Sequence, residues 1–429
     1  MTTTTIDRVA AQRRARRTLV LTQVLGGLGV GSGVAVATLL AFELSGTAAL
    51  AGLAGSASVL GSGLAAALIG GSARRGRRPG LTAGYLVGAL GAVGAVLAAV
   101  VGSLPLLLLA SLAFGGAGGA NLQARYAATD LALPERRAAD LSLVVWATTV
   151  GAVLGPNLTG PGAALASALG VPVLAGPYLL SGLSFGAAGL AMTVLLRPDP
   201  LLLARRLAPS GTEDVPDRGV GRALGAGFVA VRGNPSARAA AATIAAAHAA
   251  MVGVMSMTPV HMGHHGADVQ LIGLTISLHI AGMYALSPVM GWLADRLGPH
   301  AVLGLGFAQL VAAVHLAGGG SPRGGPAFVT GLILLGTGWS AALIASSALL
   351  TAALPGADRA PAQGLTDLVM SGAGATAGGL SGLLVALVGF SGLAAGTLVL
   401  LLVPAVLVAR DAAVGRRPVR VPVPGPGMV

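Results

Sequence analysis

Cysteine is missing from all 429 residues, which rules out disulfides and any thiolate metal site. Lysine is missing as well, so the 26 basic residues are all arginine, a bias that a GC-rich coding sequence produces without structural cause. Charge of either sign is scarce, at 9% of the chain against roughly 25% in soluble globular domains. Aromatic residues make up only 3%, and the arginines are scattered over separate stretches instead of lining one face. Despite a net charge of +12, no nucleic-acid partner is therefore expected. The stretch "HMGHH" (261–265) has no glutamate at the spacing a zinc hydrolase requires, which excludes that enzyme class.

What the chain does have is apolar length. Hydrophobic residues are 54% of it, and runs of about 20 recur along nearly its whole extent, each long enough to cross a bilayer as a helix. Spans are expected at about 19–42, 47–69, 81–102, 104–128, 141–167 and 174–196, then at about 238–259, 269–290, 300–317, 327–351, 363–388 and 392–409. The expected fold is an all-α membrane protein of twelve transmembrane helices. It has an N-terminal six-helix bundle over 1–196, a cytoplasmic linker over 197–237, and a C-terminal bundle with its tail over 238–429. The first span follows "RRARR" (13–17), but its apolar run is about twice the length of a signal h-region, so it is expected to be retained. Glycine-rich segments such as "GGLGVGSGVAVA" (26–37) and "SGAGATAGGLSG" (371–382) suit close helix packing in lipid.

Arginine accumulates on cytoplasmic loops. With the N-terminus inside, 24 of the 26 arginines fall in the N-terminal arm, inner loops, central linker or C-terminal tail. Arg323 is then outside, and Arg125 sits near the inner end of the fourth span, placed to meet lipid phosphate or Asp130. This predicts a multi-pass protein of the cytoplasmic membrane with both termini inside, a monomer whose surroundings are the lipid bilayer. The stretch "GRALGAGFVAVRG" (221–233) is amphipathic and is expected to lie along the inner membrane surface.

The two halves echo each other. "GWLADRLGPH" (291–300) follows the eighth span as "GGSARRGRRPG" (70–80) follows the second, each about fifty residues into its half. Gly291, Asp295, Arg296 and Gly298 resemble the Gly-x-Leu-x-Asp-Arg-x-Gly gating-loop signature of the major facilitator superfamily. The resemblance covers essentially the whole chain and implies a transporter, not an enzyme, built from two pseudo-symmetric six-helix bundles. The first half departs from the pattern, with Arg74 where the acid should stand. In the fifth span "GAVLGPNLTG" (151–160) is similar to the superfamily's antiporter motif, with Thr159 replacing one glycine. Physically it supplies tight packing at Gly151 and Gly155 and a kink at Pro156.

Soft ligands concentrate in one place. Residues 248–290 hold six of the ten methionines and five of the seven histidines. His248, Met251 and Met255 share a face of the seventh span, and His279 and Met283 are four apart on the eighth. On the expected spans Met251 and His279 differ in height by about 3 Å, with His261, His264 and His265 crowning the outer mouth. Neutral thioether and imidazole groups suit Cu(I), bound firmly enough to enter and loosely enough to leave. Methionine is also a common gap filler, and membrane histidines often simply bond a carbonyl. The pattern Met-x-x-x-Met then His-x-x-x-Met resembles the CcoA-like transporters. That resemblance implies copper import, with Met251, Met255, His279 and Met283 as ligands, copper as cargo and no permanently bound cofactor. Some relatives in that broader group carry riboflavin.

Two alternatives stay open beside copper import: proton-coupled efflux of a drug or small organic metabolite, and uptake of a riboflavin-like solute. Glu43, at the outer end of the first span, and Asp367, a turn into the eleventh, are the candidates for coupling; both also fit helix-end carboxylates in contact with water. Gln363 lies close to Asp367 and suits the lining of an inner cavity.

Overall fold

A computed structural model describes residues 3–46, 50, 53–207, 220–267, 269–320 and 325–415. Arg323, expected on the outer side, lies outside the described residues. All regular structure among them is helical. The N-terminal half comprises α1 (Thr3–Ser45), α2 (Leu53–Gly71), α3 (Arg77–Val101), α4 (Leu104–Ala127), α5 (Arg137–Leu154), α6 (Thr159–Ala168) and α7 (Gly176–Leu195). Two short helices follow, α8 (Pro200–Leu207) and α9 (Val220–Gly233). The C-terminal half comprises α10 (Pro235–His264), α11 (Val269–Tyr284), α12 (Ser287–Leu297), α13 (Pro299–Gly319), α14 (Pro326–Ala353) and α15 (Gly356–Gly415).

Ten segments among the described residues are long and apolar enough to cross a membrane, against twelve expected. Two features account for the difference. The expected fifth span is broken into α5 and α6 by a 3-10 turn at Pro156–Leu158, because proline cannot donate to the helix ladder. The last segment, Gly356–Ala413, is 58 residues long, roughly twice what a bilayer needs. It reverses at Gly389, whose φ of 71° is open to glycine at little cost. Beyond that turn Ser391 bonds to the Gly318 carbonyl (2.9 Å), while Asp411 returns to Ser236 (2.8 Å).

The helix starts are written locally. Ser103 accepts from the Leu106 N–H at 3.4 Å and Asn234 from the Ala237 N–H at 3.0 Å, each followed by a proline in the first turn. The apolar core has two large clusters, one within residues 15–196 and one dominated by α10 to α15; Ala138, Leu141 and Val145 of α5 belong to the second. Large apolar side chains, among them Leu90, Leu109, Leu183 and Leu387, point outward, as a lipid-facing surface requires.

Arg8 bonds to the Leu131 carbonyl, Gln12 to Asp140, and Asp295 to the start of α5, while Asp411 reaches His300. Both ends of the described chain therefore lie on one side of the molecule, the terminal end. His261, Phe328 and Phe390 cluster on the opposite, far end.

Candidate functional site

Charged residues are rare in this chain, and four of the most buried, Arg77, Asp130, Arg125 and Asp367, gather where the two halves meet. Arg77, at the start of α3, pairs with Asp130 (2.9 Å) and reaches Gln123 of α4 (3.3 Å) and Gln363 of α15 (2.9 Å). Gln123 donates to Asp367 Oδ2 at 2.9 Å. The other carboxylate oxygen of Asp367 takes a short bond from Arg125, which also donates to Tyr126 (3.1 Å) and to Ser347 of α14 (3.3 Å). Gln363 donates onward to Thr351 at 3.1 Å. Two guanidiniums and two carboxylates, all nearly sealed from solvent, thus balance one another across the halves. Buried charges persist only when paired this completely.

This corrects three expectations. Asp367 is not a water-contacting helix-end carboxylate; its side chain is fully buried. Arg125 meets neither lipid nor Asp130, because Asp130 is taken by Arg77 and Arg125 by Asp367. Gln363 lines no open cavity and instead bridges the halves. Glu43, in contrast, is exposed near the end of α1.

A second latch sits beside the first. Asp295 accepts from the Ala138 N–H (2.9 Å) and the Ala139 N–H (2.7 Å), so a carboxylate of α12 caps the N-terminus of α5 in the other half. Gly291 allows the approach, since a Cβ there would lie 2.1 Å from Ser142 Oγ. Gly298 turns the chain at φ 87°, and Arg296 stacks over Trp292 at 5.3 Å. In the first half the acid missing at Arg74 is supplied from after α7: Asp199 accepts from the Arg78 N–H at 2.7 Å.

The Met/His residues are distributed over the C-terminal bundle. Met251 and Met283 are each 7% exposed within its core, and Met255 packs against that core. His279 is buried, its Nδ1 bonded to the Leu332 carbonyl (2.7 Å) and its Nε2 without a partner among the described residues. Helices α10 and α11 pack chiefly against α14 and α15 rather than against each other. His248 accepts from the Trp339 indole N–H (3.1 Å), and Tyr284 meets the same indole edge-on at 5.8 Å. His261 and His264 do not lie in a loop, because α10 runs on to His264 past Pro259. His261 stacks on Phe390 at 4.1 Å, while His264 and His265 are exposed. Among the described residues no three His, Asp or Glu side chains converge as a metal cluster.

The antiporter-like residues sit at a close crossing. A Cβ on Gly151 would lie 2.3 Å from the Gly27 backbone, and one on Gly155 2.7 Å from Gly31. Ser32 of α1 donates to the Gly155 carbonyl at 3.1 Å, just before the break at Pro156.

The sequence reading missed Arg77, Gln123, Tyr126, Trp339 and Asp199. Arg77 was hidden in a run of loop arginines. Gln123 was the better signal, a polar residue two positions from Arg125 in a mostly apolar helix.

Comparison with known proteins follows the same lines. Residues 19–269 and 240–425 match the Major Facilitator Superfamily. The chain is 38% identical over 398 residues to the uncharacterized MFS-type transporter YddS of Bacillus subtilis, covering 92% of this chain and 90% of that one. It is 29% identical over 378 residues to the riboflavin transporter RfnT of Brucella anthropi, covering 86% and 89%. In three dimensions it is similar to the human organic anion transporter MFSD10 (TETRAN), with a TM-score of 0.74 at 18% identity over 92% of this chain and 99% of that one.

Proposed function

The chain belongs to the Major Facilitator Superfamily and is a multi-pass membrane transporter, not an enzyme, and we propose that its cargo is a small organic solute bearing a ring system, carried by proton-coupled alternating access. The observation that carries this reading is the buried charge network centred on Arg125 and Asp367, which ties the two halves at the terminal end. With both termini cytoplasmic, as the arginine distribution favours, that end is the closed cytoplasmic side. Protonation of Asp367 removes the charge that holds Arg125 and Gln123, so a proton weakens the latch and lets the halves part.

The ring-bearing cargo is supported by the half-buried His248 and Tyr284, which flank Trp339 within electrostatic reach of Arg125. Stacking surfaces with a few polar edges are what a planar solute needs. Buried Ser340 Oγ and Ser346 Oγ on α14, which lack partners among the described residues, offer further hydrogen bonds. The similarity to a riboflavin transporter points the same way. Labelled riboflavin counterflow in proteoliposomes, with and without an imposed pH gradient, tests the proposal. Flux accelerated by the gradient and lost on Trp339→Ala supports it; flux no greater than in empty vesicles removes this solute class.

Copper import remains a second reading because of one feature: His279 is oriented through Nδ1 and presents an unpartnered buried Nε2, the arrangement of a pre-set imidazole ligand, with Met283 one turn on. In that reading Met251, Met255, His279 and Met283 pass the ion, and His248, His261, His264 and His265 feed them. Labelled copper uptake should then be competed by silver and not by zinc. Normal uptake by the doubly substituted Met251→Leu, His279→Phe protein would exclude it.

A further inference from the structure

The segment joining the two halves is folded against both of them at the closed end. Leu201 of α8 is buried between Ala73, which follows α2, and Ala360 of α15. Arg205 donates to the Arg74 carbonyl at 3.3 Å. Helix α9 spans the same crease. A Cβ on Gly227 would lie 2.6 Å from the Pro361 carbonyl oxygen of α15, and one on Gly71 of α2 would lie 3.0 Å from the Ala223 side chain. The inner face of α9, Ala223 and Gly227, therefore rests on α2 and on α15, the helix that brings Gln363 and Asp367 to the latch.

Among the described residues, the outer face has no such protein cover. At 100° per residue Arg222, Gly225, Phe228, Val229 and Arg232 fall within an arc of about 120°, opposite Ala223 and Gly227. All five are exposed, Phe228 at 56% and Val229 at 69%. An apolar pair flanked by arginines, at the end of a membrane-embedded bundle, has the composition of a helix that settles into an anionic lipid surface. We infer that α9 is a lipid-anchored strap: its outer face inserts among anionic headgroups while its inner face holds the terminal end shut, so that anionic lipid favours the closed latch. This inference does not depend on the nature of the cargo.

Two measurements on the full-length protein test it. First, Phe228→Trp adds emission to that of the three native tryptophans. The added signal should be quenched by brominated lipid in vesicles of phosphatidylcholine with phosphatidylglycerol. Second, the absence of native cysteine lets spin labels be placed at Leu133→Cys and Pro355→Cys, exposed at the terminal end of the two halves. Their separation should be mostly short in vesicles containing phosphatidylglycerol and shift toward longer distances in phosphatidylcholine alone. Arg222→Gln with Arg232→Gln should reduce the lipid-dependent bias, by up to about fivefold per arginine. Gly227→Leu, which lifts the inner face and leaves the outer one untouched, should open the terminal end in both lipids. Added emission from the Phe228→Trp protein that brominated lipid leaves unquenched, or a distance distribution indifferent to phosphatidylglycerol, overturns the strap.

Discussion

Asp367 holds two partners at once, Arg125 through one oxygen and Gln123 through the other. Replacing it with Asn leaves Arg125 buried without a counter-charge, a loss that costs about 3–5 kcal/mol in comparable pairs. The Asp367→Asn protein should therefore spend less time closed at the terminal end and lose its response to a pH gradient. Arg125→Leu with Asp367→Leu should restore closure without restoring the response. Gradient-driven flux that survives in the single variant would remove Asp367 from the coupling role. The sequence exposed half of this site: Gln363 and Asp367 stand out as polar residues in an apolar run. Arg125 stood out too, but with the wrong partner, and Arg77 and Gln123 did not stand out at all, since Arg77 lies 286 residues from Gln363 and Gln123 lies 244 from Asp367. Local spacing carries no information over such distances. The Met/His pattern was legible for the opposite reason, because each pair is four residues apart on a single helix.

Helices that cross closely and helices that break do different work here. At the crossing of α1 and α5, Gly151→Leu would drive a side chain into the Gly27 backbone, and overpacking of this kind costs about 1–3 kcal/mol or more. A lower melting temperature with less folded protein is expected. Pro156→Ala, in contrast, restores a backbone donor and should let α5 and α6 fuse into one rod. Transport should slow while cargo binding is kept, which comparison of binding isotherms with counterflow rates will show. Loss of binding with unchanged rates would contradict this. The sequence located the proline but suggested a kink where the helix in fact stops and restarts. The reversal within α15 was legible, because a run of nearly sixty apolar residues is far too long for one crossing. At α10 the expected span stopped at about 259, yet the helix runs on past Pro259 to His264.

Over the whole molecule, the helical membrane fold was legible from apolar length and the family from one loop signature. The interface between the halves was not, because it is made of single residues drawn from distant helices. Orientation is open to direct measurement in a protein with no native cysteine. A Gly266→Cys thiol, next to His265 at the far end, should be labelled by an impermeant maleimide in intact cells. Labelling only after the membrane is opened would reverse the topology. The stapled segment between the halves has a further consequence. Leu201, on the N-terminal side of the undescribed stretch 208–219, packs on Ala360 of α15 in the second half, while α9, on its C-terminal side, rests on α2 of the first. If the gene were divided between residues 207 and 220, each product would carry its own clasp for the other. Such fragments should find one another when made together from separate messages, and remain paired through detergent extraction without a peptide bond between them.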